Sequence, residues 1–271
     1  MFDELARALR ERGRASLVTV VDGIATGAKL LIRFDEEREP LTSGTLGDAD
    51  LDRVVVRDAL GELAAGRSGV RHYGPQGQAG EDAVSVFIES FAPPPEMLIF
   101  GAVDFTKALV RVAKVLGYRV TVCDAREVFA TEQRFPDADE IVVDWPHRLV
   151  QRVGAALGPA DAICVLTHDH KFDVPAIIEA LGTEVGYIGA MGSRRTAAER
   201  ERRLIEDGAT AGQLQRLMAP IGLDIGARTP EETAIAICAE IVAKRTGREP
   251  SSLRATTGPI HVVAPSGERA P

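Results

Sequence analysis

The stretch Met97 to Asp124, MLIFGAVDFTKALVRVAKVLGYRVTVCD, decides the fold. Met97 to Phe100 form a short apolar strand. Leu109, Val110, Val112, Ala113 and Leu116 then recur at the spacing of one helical face. Gly117 ends that helix, and Tyr118 to Cys123 return as a β-rich strand closed by an acid, Asp124. Strand, turn, helix, strand and acid make the first unit of a nucleotide-binding α/β domain. A dinucleotide fingerprint puts three glycines in the turn, for a pyrophosphate, and an acid about 20 residues on, for ribose hydroxyls. Gly101 and Asp124 match it, but Val103 and Thr106 stand at the other two glycine positions. A Cβ at Val103 crowds the place where backbone should approach a pyrophosphate. The fold signal is intact and the nicotinamide-cofactor signal is damaged.

Upstream, residues 3–12 have helical spacing, Ala15 to Val21 is a strand, and Ala28 to Ile32 is a second strand after Gly27. The charged loop FDEEREP and glycine-rich Ser43 to Gly47 lead to Asp48 or Asp50. Either can cap a helix running to about Ala65, with Leu51, Val54, Val55, Ala59 and Leu63 on one face. A loop or strand holding His72 and Tyr73 follows, and Ala83 to Glu89 is a third strand. Residues 1–92 are thus expected to be a small α+β domain. Pro93, Pro94 and Pro95 make 93–96 a stiff linker, since three prolines continue neither a helix nor a central strand.

Downstream, Phe129 to Phe135 is a linking segment. Further strands are expected at Glu140 to Val143, Ala162 to Leu166 and Val185 to Ile188, with helices at Arg148 to Leu157, 174–181 and beyond Ser193. Gln213 to Met218 reads as a helical turn. Thr229, Pro230, Glu231 and Glu232 cap a last helix to about Lys244. Alternating strands and helices predict an α/β fold, a Rossmann-like doubly wound parallel sheet over 97–250, with 251–271 a disordered tail.

Forty acids against 32 bases, net −8, argue against a general nucleic-acid or membrane-surface binder. No apolar run reaches the roughly 18 residues of a membrane span, and no signal pattern stands at the N-terminus, so a cytoplasmic protein is expected. Cys123, Cys164 and Cys238 each sit in an apolar run and read as buried core thiols. With five histidines and no CxxC or HExxH, no dedicated metal site is expected.

Ligands of open α/β sheets bind beyond the carboxyl ends of the strands, so the residues that follow each strand carry the chemistry. Those are Gly101 to Asp104, Asp124 to Arg126, Asp144 to His147, Thr167 to Lys171 and Gly189 to Arg195. In THDHK, His168 and His170 are two apart and point the same way if the segment is extended; either is a candidate acid/base or anion contact. In GAMGSRR, Ser193 can cap a helix while Arg194 and Arg195 bring two guanidinium groups to its positive end, a place that suits phosphate; an ordinary capped helix with solvated arginines is the alternative. Asp224, between two glycines in PIGLDIGA, either lines the cleft or holds a turn. Arg126 is a candidate contact for a 2′-phosphate.

The segments PPPEMLIFGA, RFPDADEIVVD, VLTHDHKFD, YIGAMGSRR and APIGLDIGARTPEETAIAICAEI, with a weaker GTLGDADLD near the N-terminus, resemble the XdhC/CoxI family in order and spacing. These are accessory proteins of molybdenum hydroxylases such as xanthine dehydrogenase and carbon monoxide dehydrogenase. The resemblance implies an N-terminal XdhC/CoxI-like domain and a C-terminal Rossmann-like one. It implies a chaperone that binds the molybdenum cofactor (molybdopterin), supports its sulfuration and inserts it into a hydroxylase apoenzyme, with a cysteine desulfurase and a homodimer as further partners to test. The implied cleft lining is Gly101, Asp104, Asp124, Arg126, Thr167, His168, Gly189, Gly192, Ser193, Arg194 and Asp224, with His168 and His170 as catalytic candidates. Two departures stand out: Asp50 replaces the family's cysteine, and Gly101-Ala102-Val103-Asp104 replaces Gly-Ala-Gly-His. The competing readings are an NAD(P)-binding oxidoreductase and a regulatory scaffold that binds no small molecule.

Overall fold

A computed structural model describes residues 1–11, 13–35, 39–64, 66–78 and 81–257. The expected tail from residue 258 on, residues 36–38 of the charged loop, and the expected helix ends at 12 and 65 lie outside the described residues. The described chain forms two units, one built on Met1–Pro93 and the other on Pro94–Ser252.

In the first unit, α1 (Phe2–Arg10), β1 (Ala15–Asp22), β2 (Lys29–Phe34), β3 (Pro40–Thr45), α2 (Ala49–Ala64), β4 (Gly69–Tyr73) and β5 (Val84–Phe91) follow in order. The sheet is antiparallel, ordered β3-β2-β1-β5-β4. Period-two alternation splits its residues between faces. Val18, Val20, Leu30 and Ile32 pack with Leu51, Val55 and Ala59 of α2, while Leu17 and Leu31 pack with Leu5 of α1. Asp48 caps α2, accepting from the backbone N–H groups of Asp50 and Leu51. Asp50 lies exposed in the first turn, 2.8 Å from Arg53. Pro40–Thr45, which follows the charged loop and carries part of the glycine-rich Ser43 to Gly47, is a strand that the sequence reading did not assign: its residues are mostly exposed, and pairing with β2 holds them.

The second unit contains β6 (Glu96–Phe100), α3 (Asp104–Val115), β7 (Arg119–Cys123), β8 (Glu140–Val142), α4 (Pro146–Val153), β9 (Ala162–Val165), α5 (His170–Leu181), β10 (Tyr187–Ala190), α6 (Arg194–Glu206), α7 (Ala211–Leu214), β11 (Leu217–Met218) and α8 (Pro230–Thr246). All six strands are parallel and ordered β11-β10-β9-β6-β7-β8, the doubly wound Rossmann order that reverses direction between β6 and β9. Met97, Ile99, Val120, Val122 and Cys164 face α3 and α8; Leu98, Phe100, Cys123, Ile163 and Val165 face α4 and α5. Burial on both faces explains why these strands read as unbroken apolar runs.

Leu217–Met218, expected as part of a helical turn, is instead a two-residue strand paired with Ile188 and Gly189. The expected cap of α8 is present: Thr229 Oγ1 accepts from Glu232 N–H at 3.1 Å, and the Glu232 carboxylate accepts from Arg228 and Thr229 N–H. No described helix is long and apolar enough to cross a membrane.

Candidate functional site

The crossover between β6 and β9 brings the ends of those strands together. Leu166 N–H donates to Phe100 O at 2.8 Å, and Gly101 N–H donates to Cys123 O at 2.9 Å. Gly101 has φ +108°, and a Cβ built there would lie 2.6 Å from Thr167 Cγ2. The glycine is therefore required by close approach of the β9 end as well as by its left-handed backbone. Thr106, at the position of the fingerprint's third glycine, is buried, and its hydroxyl donates to the Gly101 carbonyl.

Asp124 is 3% exposed at the end of β7. Its Oδ2 accepts from Ala102 N–H (2.8 Å) and Arg126 Nη2 (2.8 Å), and its Oδ1 from Arg126 N–H (3.0 Å) and Nε (2.9 Å). Burial pushes the Asp124 carboxyl up, but the bonds from Arg126 and Ala102 outweigh it and hold the group below the usual carboxylate range. The Arg126 guanidinium also stacks on the Phe129 ring, 4.5 Å from its centroid. Asp104, at the start of α3, is exposed, with Arg134 3.8 Å away; Arg134 also donates to the Ala102 carbonyl at 3.0 Å.

Beyond β9, the Asp169 side chain accepts from Lys171 N–H and its carbonyl from Phe172 and Asp173 N–H, so the chain turns helical at once. His170 is consequently the first residue of α5, and the expectation of an extended segment with two co-directed imidazoles is corrected. His168 is exposed. His170 is half-buried, with Nδ1 lacking a partner among the described residues; the Glu199 carboxylate, held low chiefly by its bond from Arg203, lies near enough for His170 to lower it a little further.

Beneath this turn lies a buried polar chain. The Thr167 hydroxyl donates to Asp173 Oδ1, Arg200 Nη2 donates to Asp173 Oδ2 at 3.0 Å, and the same nitrogen donates to the Met191 carbonyl at 2.9 Å. Asp173 and Arg200 are both 0% exposed. The pair ties the loop after β9 to the loop after β10. Neither residue stood out in the sequence, because Asp173 reads as a helix-start acid and Arg200 is one of several charges in RRTAAERERRLIE.

Gly189 lies inside β10, where a Cβ would meet Ile221 and Tyr187 side chains at 2.5 and 2.8 Å, so packing explains its size. Gly192 and Ser193 form the loop into α6. Ser193 Oγ accepts from Thr196 N–H at 3.1 Å, the expected cap, and Arg194 and Arg195 are exposed on the first turn. Asp224 faces Arg194 at 3.7 Å, both nearly fully exposed, a pairing worth at most about 1 kcal/mol. The Pro220–Ala227 loop is anchored by Ile221 N–H to the Ala190 carbonyl (3.1 Å) and by Gly222 N–H to the Glu240 carboxylate (2.9 Å); Glu240 is another contributor that local pattern did not reveal.

The strand order thus collects Gly101, Thr167, His168, Gly192, Ser193, Arg194 and Asp224 along one carboxyl edge, while Gly189 is packed within its strand and Asp124 is held from within. Arg194 and Arg195 are exposed cations on the first turn of α6, whose opening N–H groups suit a phosphate, and Lys171 is exposed on the first turn of α5, 3.4 Å from the Asp169 carboxylate. Among the described residues no group of three or more His, Cys, Asp or Glu could hold a metal ion. The three cysteines are buried and free; burial pushes the Cys123 and Cys238 thiols up to about 12 and the Cys164 thiol well above its ordinary value.

A model of the XdhC Rossmann domain matches residues 97–241. A probable xanthine dehydrogenase subunit of Bacillus subtilis is 31% identical over 61% of this chain and 47% of its own length. The molybdenum cofactor insertion chaperone PaoD of Escherichia coli is 25% identical over 61% of the chain and 45% of its own length. The chain therefore spans about half the length of the curated relatives it matches. The crystal structure of a xanthine dehydrogenase from Bacillus halodurans superposes with a TM-score of 0.54 at 21% identity, covering 92% of this chain and 97% of that one, a likeness of fold.

Proposed function

The chain belongs to the XdhC family, and from that premise we propose that it is an accessory protein that binds the molybdenum cofactor, supports its sulfuration and hands it to the apoenzyme of a molybdenum hydroxylase of the xanthine dehydrogenase or carbon monoxide dehydrogenase type. The observation that carries the reading is the pairing of that family with a carboxyl edge offering Lys171, Arg194, Arg195 and the start of α6 to a phosphate. When bound, the cofactor brings the metal and dithiolene chemistry that the hydroxylase uses. This chain's residues bind and orient it. Ser193 fixes the first turn of α6, the Asp173–Arg200 pair fixes the loops on both sides, and His168 and His170 stand at the rim as contacts for the ligand.

Sulfur must come from elsewhere. A persulfide carrier needs an accessible thiolate, and all three thiols here are buried and protonated at neutral pH. Asp50, at the family's cysteine position, offers only a hard oxygen and is paired with Arg53. The donor in this reading is a separate cysteine desulfurase, with this chain holding the acceptor.

The test is native mass spectrometry of the protein mixed with molybdopterin, which also reads whether two copies pair, followed by activation of a hydroxylase apoenzyme. A bound pterin and faster activation with the chain present are expected. Absence of any complex, together with normal maturation of the hydroxylase when the chain is deleted, sinks the proposal.

A further inference from the structure

We infer that the chain itself fills the dinucleotide position of its Rossmann unit, and that Arg126 is the specificity-determining residue: its guanidinium occupies the carboxylate that would otherwise take a ribose diol. The inference goes beyond the molybdenum-cofactor reading and does not depend on it, since it concerns which nucleotides the cleft turns away.

A dinucleotide site keeps two sets of groups free. The first loop reserves backbone N–H groups for a pyrophosphate, and the acid at the end of the second strand reserves its oxygens for ribose hydroxyls. Here the loop N–H groups of Gly101, Ala102 and Val103 and the oxygens of Asp124 are engaged internally. Ala102 N–H donates to Asp124 Oδ2 at 2.8 Å, and Val103 N–H is directed to Thr106 Oγ1 at 3.4 Å. The Gly101 and Ala102 carbonyls accept from Thr106 and Arg134. Asp124 receives four donors, three of them from Arg126. A carboxylate offers about four lone-pair sites, so a diol meets no vacant acceptor.

Displacing Arg126 would exchange a guanidinium–carboxylate fork, charged on both sides, for hydroxyl bonds charged on the acceptor alone, an unfavourable trade. The Phe129 ring against the guanidinium, 4.5 Å away, supports it in that position. Rejection of this kind is selection against competitors rather than for a ligand. It keeps nucleotides out of a cleft whose strand order would ordinarily welcome them.

The experiment is calorimetric titration of ADP and 2′-deoxy-ADP into the full chain, the Val103→Gly variant, and Arg126→Ala in both backgrounds. Arg126→Gln, which retains more of the side chain, is carried in parallel, and each variant is checked for native far-UV circular dichroism. Removing Arg126 should raise ADP affinity by about tenfold or more, the worth of a hydrogen bond to a charged acceptor, and raise that of 2′-deoxy-ADP, which keeps only its 3′ hydroxyl, by clearly less. Val103→Gly alone should not create that discrimination. The inference is overturned if the unaltered chain or Val103→Gly already prefers ADP over its deoxy analogue about tenfold. It is equally overturned if folded Arg126 variants gain nothing in either background, or if they gain equally for both ligands. None of these outcomes bears on molybdopterin binding, so the two proposals stand or fall separately.

Discussion

Replacing Asp173 by leucine leaves the Arg200 guanidinium charged and without its carboxylate, in a place where both side chains are 0% exposed. Removing one partner of a buried pair costs about 3–5 kcal/mol, because the surviving charge stays desolvated. For a unit of this size each 1 kcal/mol shifts the melting midpoint by about 2–4 °C, so Asp173→Leu should lower it by roughly 6–20 °C. Arg200→Met should cost less. It strands a carboxylate that still accepts from Thr167, but it also removes Nε and Nη1, which have no partner among the described residues and cost about 1–3 kcal/mol each to bury. The double variant removes both charges and should fall near the unaltered protein or above it by up to about 4 kcal/mol. Trp145, the single tryptophan, packs on Phe172 at 4.9 Å, beside Asp173, so its fluorescence during urea unfolding reports this unit. If each single variant costs under about 1 kcal/mol and the two costs simply add in the double, the pair is not the tie described above and the reasoning fails.

Acid should weaken the second unit through carboxyls held low by their partners. The folded-state values of Asp124, Asp139 and Asp144 lie below their ordinary range, so their stabilisation is complete above about pH 4 and is lost as pH falls through the folded values. Urea midpoints across that window should fall, and less steeply in Arg126→Gln, where Asp124 has lost its largest favourable partner. Gly101→Ala places a Cβ 2.6 Å from Thr167 Cγ2 at φ +108° and should cost about 1–3 kcal/mol, with Thr167→Ser, which deletes that methyl and retains the hydroxyl, giving part of it back in thermal melts. Ellman's reagent should find no reactive thiol in the native protein and three after denaturation; fast native labelling at Cys123, Cys164 or Cys238 would contradict their burial.

The Rossmann unit was legible because its signals are local. Met97–Phe100, the apolar face of α3 and the strand before Asp124 each declare themselves within a dozen residues, and Thr229 with Glu232 marks a helix start by chemistry alone. What escaped depends on pairing at a distance. Pro40–Thr45 has little apolar character, and only the donors and acceptors of β2 make it a strand. Arg200 looks like a solvated helix charge until Asp173, 27 residues earlier, is seen to face it. Asp124 reads as a ribose ligand so long as the destinations of Ala102 N–H and Arg126 are unknown. His170 changed its place because one carboxylate, Asp169, began a helix where an extended segment was expected.

The position of β6 at the centre of the sheet constrains how the chain acquires its structure. Met97 to Phe100 pair with Val120 to Cys123 soon after both have been made, but their other edge waits for Ala162 to Val165. The Glu96 N–H reaches the Asp161 carboxylate, 65 positions later in the sequence, at 2.7 Å. Closing such a span costs chain entropy before any contact repays it, so this pairing is expected to follow the more local one between β6 and β7. During synthesis a nascent chain that has not reached β9 displays Met97, Leu98, Ile99 and Phe100 on an unpaired edge, and such edges recruit other strands. Fragments truncated between β8 and β9 should accordingly aggregate, whereas chains continuing past Leu166 carry the strand that covers the exposed one.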